Sequence, residues 1–187
     1  VCTLSETRRA RAPFETQHPF ESERDRYETL EFFGGKNTPL SETSATLSVE
    51  DVNEPQAIEA LIQASPDVVV VFGTGLIRQP LIERFKNRII NLHGGDPEEY
   101  RGLDSHLWAI YHGDFDGLVS TLHHVNSKLD DGEIIGRKIL RPKRGSELIH
   151  LRAVNTRACV QLVLEALDSL QATKKMGGSP QLKRGRY

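Results

Sequence analysis

What this sequence has little of narrows its roles before any motif is read. Its 187 residues hold two cysteines, Cys2 and Cys159. Two are too few for a disulfide framework or a structural zinc site, so reduced thiols in a cytoplasmic protein are the expectation. No apolar run approaches the roughly 20 residues of a membrane span. Charge of one sign is not in excess either: 24 basic and 26 acidic side chains leave a formal net charge of −2. Without a basic footprint, nucleic acid and anionic membrane surfaces are disfavoured and a small-molecule partner is expected. The length suits one domain spanning residues 1–187, large enough to bury a sheet between helices. Val1-Cys2-Thr3-Leu4 reads as the tail of a strand whose beginning is missing, and Lys183 to Tyr187 stops inside a basic, strand-like segment, so a fragment is expected.

What is present sharpens along the chain. Residues 5–45 carry Phe14, Phe20, Tyr27, Phe32 and Phe33 among many charges, and support one helix from about Glu23 to Phe33, stopped by Gly34-Gly35. Asn53 as N-cap, Pro55 in the first turn and an apolar stripe of Ile58, Leu61 and Ile62 predict a helix to about Ala64. Asp67 to Phe72 is a short, β-branched run of the kind a central parallel strand covered on both faces shows. A short helix from Pro80 to Phe85 follows, then a strand from Arg88 to Leu92 and a helix from Leu103 to His112. Trp108 and Tyr111 on that helix read as core or interface. Strands over Val119–Val125 and Glu133–Leu140 precede a long helix from Ser146 to about Lys175, which Gly177-Gly178 stops. Alternation of this kind predicts an α/β fold: a Rossmann-like open twisted sheet with a parallel centre and helices on both faces. Its ligands bind outside the carboxyl ends of the strands.

Both Gly73 and Asn91 fall at such ends. Gly73-Thr74-Gly75 lacks the third glycine of a dinucleotide fingerprint, so a tight strand-to-helix turn outweighs a phosphate loop. Its bare backbone suits a ligand lying close against it. In Asn91-Leu92-His93 the outer two side chains share one face of the strand while Leu92 turns into the core. An amide donor beside an imidazole is what acyl transfer needs, one polarising a carbonyl and the other moving a proton. A capped strand end with a hydrogen-bonded His is the plainer alternative. His123 and His124 face opposite ways on their strand, so at most one of them can readily join a shared site on that face. Leu129-Asp130-Asp131-Gly132 reads as a turn, and a carboxylate brought from it to His93 would favour the charged imidazole.

The spaced run NLH, YRG, SHLWAIYHGDFDG and STLHHVNSKLDDGEII, over about Pro66 to Leu140, resembles the core of the folate-dependent formyltransferases. That family contains the glycinamide ribonucleotide, methionyl-tRNA and sugar-amine N-formyltransferases, and the stretch PDVVVVFGTGLI is similar to its strand and loop beneath the folate. The resemblance implies the formyltransferase fold, here without its first strand and helix, and makes Asn91, His93 and Asp130 catalytic. It places Gly73, Thr74, Gly75, Leu76, His123, Leu129, Asp131 and Gly132 around the folate. It further implies that 10-formyltetrahydrofolate is the co-substrate and that its formyl group passes to a primary amine. Protonated His93 and Asn91 would stabilise the oxyanion, and no metal is required. Tyr100 and Arg101 would lie near the acceptor, with Arg101 reaching a phosphate or carboxylate, or else making a surface ion pair.

The sequence departs from the family where Gly94-Gly95-Asp96-Pro97-Glu98-Glu99 replaces an apolar loop; its acids could hold a cationic amine or sugar hydroxyls, with a solvated loop the stronger reading of any one of them. A nucleotide-linked amino sugar is the expected acceptor class. A transfer-RNA acceptor is disfavoured, because the chain is too short for the extra C-terminal domain of the methionyl-tRNA enzymes. Water as acceptor, giving a formyltetrahydrofolate hydrolase, stands as the alternative. A metal-dependent hydrolase using His93, Asp96, His106 and His123 and a binding protein that kept only the fold are the readings from other classes.

Overall fold

The computed structural model describes residues 2–7 and 19–187, the side chain of Pro19 excepted. Phe14 lies outside them. The chain divides into two compact units, one of residues 1–65 and 142–154, the other of residues 66–141 and 155–187.

In the first unit, β1 (Cys2–Glu6) and β2 (Ala45–Val49) pair in parallel with Cys2 beside Ala45 and Glu6 beside Val49. The β2 strand is absent from the sequence expectations, its five residues ATLSV being too short and polar to stand out. Between them α1 (Pro19–Phe33) ends where the Gly34 and Gly35 amides reach the carbonyls of Leu30 and Thr29, both glycines at positive φ. Arg152 holds this helix through Asp25 (2.6 Å) and Glu28. The next helix, α2 (Pro55–Ala64), starts one residue later than expected, with Glu54 and not Asn53 at the cap. Pro55 drives the preceding residue into the extended region, and the Asn53 amide turns back to Asp51 instead (2.6 Å).

The second unit is built on four strands, β3 (Val69–Phe72), β4 (Ile89–His93), β5 (Val119–His124) and β6 (Ile134–Ile139), hydrogen-bonded in that order. The β3–β4 pair is parallel, whereas β4–β5 and β5–β6 are antiparallel, giving a mixed, open α/β sheet. Among the described residues β3 pairs only with β4, and Val70 (40 % exposed) and Phe72 (55 %) are open. The expected central, doubly covered strand is therefore an edge of this ladder; a four-residue apolar run has the same composition in either place.

Two short helices, α3 (Leu81–Arg84) and α4 (Ser105–Tyr111), connect strands, and α5 (Leu151–Thr173) follows β6. A 3₁₀ turn at Leu148–His150 leads into α5, with a reciprocal cap between Glu147 and His150. The helix ends before the expected Gly177: Lys174 takes the left-handed conformation (φ 58°) and its amide closes on the Leu170 carbonyl.

Alternation along the strands sorts the two faces of the sheet. Ile90, Leu92 and Leu122 meet Leu162 and Ala166 of α5 in one apolar cluster. Because β4 pairs Asn91 with His123 and His93 with Thr121, those four side chains take the opposite face.

Candidate active site

The site grows from that second face. His93 ends β4 and is buried, with its Nε2–H donating to the Tyr100 carbonyl (2.9 Å). His123, opposite Asn91 on β5, donates from Nδ1 to the His124 carbonyl (2.8 Å) and accepts the Asn91 Nδ2–H at Nε2 (3.2 Å). His124 points the other way and donates to the Met176 carbonyl (3.2 Å).

Asp130 reaches both site histidines from the turn between β5 and β6. Its Oδ2 lies 3.6 Å from His93 Nδ1, and its Oδ1 lies 3.5 Å from His123 Nε2. The Gly102 amide donates to Oδ2 at 2.8 Å. Two backbone features deliver the carboxylate. Asp130 sits at φ 47°, in the left-handed region that Asp tolerates better than most residues. Two residues on, a Cβ at Gly132 would fall 1.7 Å from the His124 carbonyl oxygen, so the turn closes on β5 only with glycine there. The spacing Asp-x-Gly is thus a steric requirement.

A second glycine does similar work beneath His93, because a Cβ at Gly95 would meet Ser105 Cβ at 2.6 Å and His93 Nε2 at 2.8 Å.

The electrostatics follow from burial. Burial pushes His93 below its ordinary 6.5 despite the charge of Asp130 and the Tyr100 carbonyl, so the resting ring is neutral. This departs from the protonated His93 of the sequence reading. Burial raises the proton affinity of Asp130, but the adjoining His123 ring, the nearby His93 and the Gly102 amide outweigh it and hold the carboxyl below 3.8. His93 has spent its Nε2–H on the Tyr100 carbonyl and turns its Nδ1 lone pair toward the carboxylate. The cluster therefore has a place for one incoming proton, on His93 Nδ1, with Asp130 beside it to balance the charge.

The remaining sequence candidates are distributed as follows. Gly73, Thr74, Gly75 and Leu76 form the loop after β3, and the parallel register of Phe72 with Leu92 puts that loop at the His93 end of the sheet. Gly73 turns at φ 64° and Leu76 is 63 % exposed. Leu129, Asp131 and Gly132 flank Asp130 in its turn. Tyr100 presents its carbonyl to the site, while its hydroxyl is turned to Asp114 (3.0 Å). Arg101 is 6 % exposed. Its guanidinium donates to the Pro97 carbonyl (2.9 Å), the Leu129 carbonyl (3.2 Å), Asp131 (2.8 Å) and Gln181 (2.6 Å).

The acids of the 94–99 loop are likewise engaged within the protein. Asp96 pairs with Arg137 at 3.1 Å, Glu98 pairs with Arg137 and the Leu182 amide, and Glu99 pairs with Lys183. His106, named with His93, Asp96 and His123 as a metal set, donates to the Val119 carbonyl (2.7 Å). Among the described residues no three His, Cys, Asp or Glu side chains converge as metal ligands.

Sequence reasoning missed Gln181, which touches both the Asp130 turn and Arg101. No periodicity marks it. A polar cleft of about 410 Å³ lined by Arg101, Asp131, Glu133, Gln181 and Arg184, among others, lies on this side of the turn. It contains none of Asn91, His93, His123 or Asp130.

The formyl transferase family model matches residues 9–146. A methionyl-tRNA formyltransferase of Desulfotalea psychrophila is 29% identical over 137 residues, 66% of this chain and 42% of that protein. The chain spans 29% to 47% of the length of the first three curated relatives it matches. The formyltransferase PseJ of Anoxybacillus kamchatkensis, solved with UDP-4,6-dideoxy-4-formamido-L-AltNAc and tetrahydrofolate, superposes with a TM-score of 0.62 at 24% identity. That likeness covers 100% of this chain and 84% of PseJ. HypX of Aquifex aeolicus has a TM-score of 0.64 at 20% identity, covering 98% of this chain and 29% of HypX. These likenesses show a shared fold, and with the family match over more than half of its residues, the chain belongs to the formyl transferase family.

Proposed function

We propose that this chain carries a formyl group from 10-formyltetrahydrofolate to the primary amine of a small molecule, with a nucleotide-linked amino sugar as the acceptor class. The observation that carries the reading is the meeting of Asn91, His93, His123 and Asp130 at one end of the sheet, with Asp130 3.6 Å and 3.5 Å from the two rings. Family membership supplies the donor. The acceptor class takes its support from PseJ, whose bound product is a formylated nucleotide sugar.

The residues suit a folate. The Gly73–Leu76 loop offers bare backbone and the exposed Leu76 to a flat ring, and the turn at Leu129, Asp131 and Gly132 with His123 borders it from the other side. When bound, the folate would supply the formyl carbon as the electrophile and its nitrogen as the leaving group. The acceptor amine attacks that carbon, forming the new C–N bond and placing charge on the formyl oxygen. Asn91 donates its second amide N–H to that oxygen. His93 takes the proton the amine loses on Nδ1, the lone pair beside Asp130, and Asp130 stabilises the imidazolium. Collapse breaks the bond to the folate nitrogen, which receives this proton from His93. A formamide and tetrahydrofolate leave, and His93 returns to neutral. Arg101 and the loop acids brace the site from within.

The test is release of tetrahydrofolate from 10-formyltetrahydrofolate with and without a panel of amino sugars linked to nucleotides. Acceptor-dependent release that falls at least about 100-fold in both His93→Ala and Asp130→Ala supports the reading. Full activity in those variants would sink it. Release without any acceptor would replace the amine by water and make the protein a hydrolase.

A further inference from the structure

Asp130 is buried at a left-handed φ, and a single backbone amide, that of Gly102, donates to its carboxylate. Something must hold the turn that aims it. Gln181 lies in the segment after α5, 51 residues from Asp130 in sequence. Its Nε2 gives one hydrogen to the Asp130 carbonyl (2.9 Å) and the other to the Gly132 carbonyl (2.8 Å), the two carbonyls on either side of Asp131. Its Oε1 accepts from Arg101 Nη2 (2.6 Å), while Arg101 Nη1 takes the Leu129 carbonyl and the Asp131 carboxylate. One amide thus satisfies both of its donors on the catalytic turn and its acceptor on the buried guanidinium that braces the same turn.

The segment around Gln181 is itself fastened. Ser179 and Ile134 exchange two backbone bonds, the Gly185 amide reaches the Pro97 carbonyl (3.1 Å), and Arg186 bonds Glu99 and Arg101 through its backbone. Gln181 is therefore presented to the turn by a fixed strap, held at both of its ends. The ring of Tyr187 covers Gly102, the residue whose amide meets Asp130; a Cβ there would lie 2.8 Å from it.

We infer that Gln181 is a positioning residue for formyl transfer: through its three hydrogen bonds it fixes the Asp130 carboxylate at the distance from His93 that proton transfer requires. This rests on the function proposed above. No side chain other than an amide of this length offers two donors and one acceptor in that fork. A displacement of about 1 Å at a reacting group costs on the order of 100-fold in rate, so loss of the fork acts on turnover more than on binding.

The experiment uses two uncharged variants, Gln181→Met, which keeps the length, and Gln181→Asn, which keeps the amide but falls short of the turn. Tetrahydrofolate release is measured well below the melting temperature of each, and the His93 ring is titrated by NMR in the same proteins. The expected result is a kcat lower by about 10- to 100-fold with KM for the folate within about 3-fold. The groups facing His93 are Asp130, His123, Asp96 and the Tyr100 carbonyl, and Asp130 is the strongest of those that raise its proton affinity. Moving Asp130 away therefore lowers the His93 titration by about half a pH unit or more. A kcat unchanged in whichever variant folds, even with a lower melting temperature, overturns the inference. If the wild-type chain shows no turnover at all, the proposed function fails, while the titration still decides the role of Gln181: a fall supports it and an unchanged curve overturns it.

Discussion

His93 and Asp130, to which the proposed mechanism gives the chemistry, also make the site sensitive to acid. His93 is held below 6.5 by burial, so as pH falls beneath that value the unfolded chain takes up a proton that the folded ring refuses. Stability present above 6.5 is therefore lost progressively below it. Asp130 is held below 3.8, and its contribution is present above that value and lost as pH falls further, through its folded range. Denaturant unfolding of the wild type is expected to have a lower midpoint at about pH 5 than at about pH 7.5. His93→Gln narrows that gap by removing one of the depressed imidazoles; a gap of unchanged size would show that His93 is not held neutral. His106, also depressed by burial, accounts for part of the remainder. Cys159, buried with its thiol pushed up to about 11, stays unreactive at neutral pH.

At the scale of elements, the site depends on strand alternation and on glycine. The period of two sends Asn91 and His93 to one face and Leu92 to the other, and this was readable in the sequence because it follows from strand geometry alone. The meeting with Asp130 was not readable. It depends on the left-handed backbone at Asp130 and on a contact between Gly132 and the end of β5, neither of which leaves a period. Gly132→Ala should be among the most damaging single changes, since its methyl would overlap the His124 carbonyl. A loss of at least about 3 kcal/mol is expected from denaturant melts, well beyond an ordinary surface substitution. A loss under about 1 kcal/mol would show that the turn can shift away from β5. The acids of the 94–99 loop teach the converse. Their composition suggested a hold on the acceptor, yet Arg137, Lys183 and the amide of Leu182 occupy them. Partners supplied from 39 to 85 residues away are invisible to local pattern.

For the molecule as a whole, one face of the four-stranded sheet packs against α5 and the other carries the residues to which the proposed mechanism assigns the chemistry. Ile90 and Leu122 are fully buried against Leu162 and Ala166, so Leu122→Ala is expected to cost about 2–5 kcal/mol while leaving kcat of the folded fraction within about 3-fold. A large fall in kcat without loss of stability would contradict this separation of the faces. The fold class was legible from the alternation of strands and helices, but the position of β3 at an edge of the ladder was not, nor was Gln181, because strand order and the return of the C-terminal segment are set by long-range pairing. The most direct test of the central claim is Asp130→Asn, which keeps the size of the side chain and removes its charge. Tetrahydrofolate release is expected to be at least about 100-fold slower than in the wild type, with folate affinity within about 3-fold. Wild-type release from that variant would mean that the carboxylate beside His93 takes no part in the reaction.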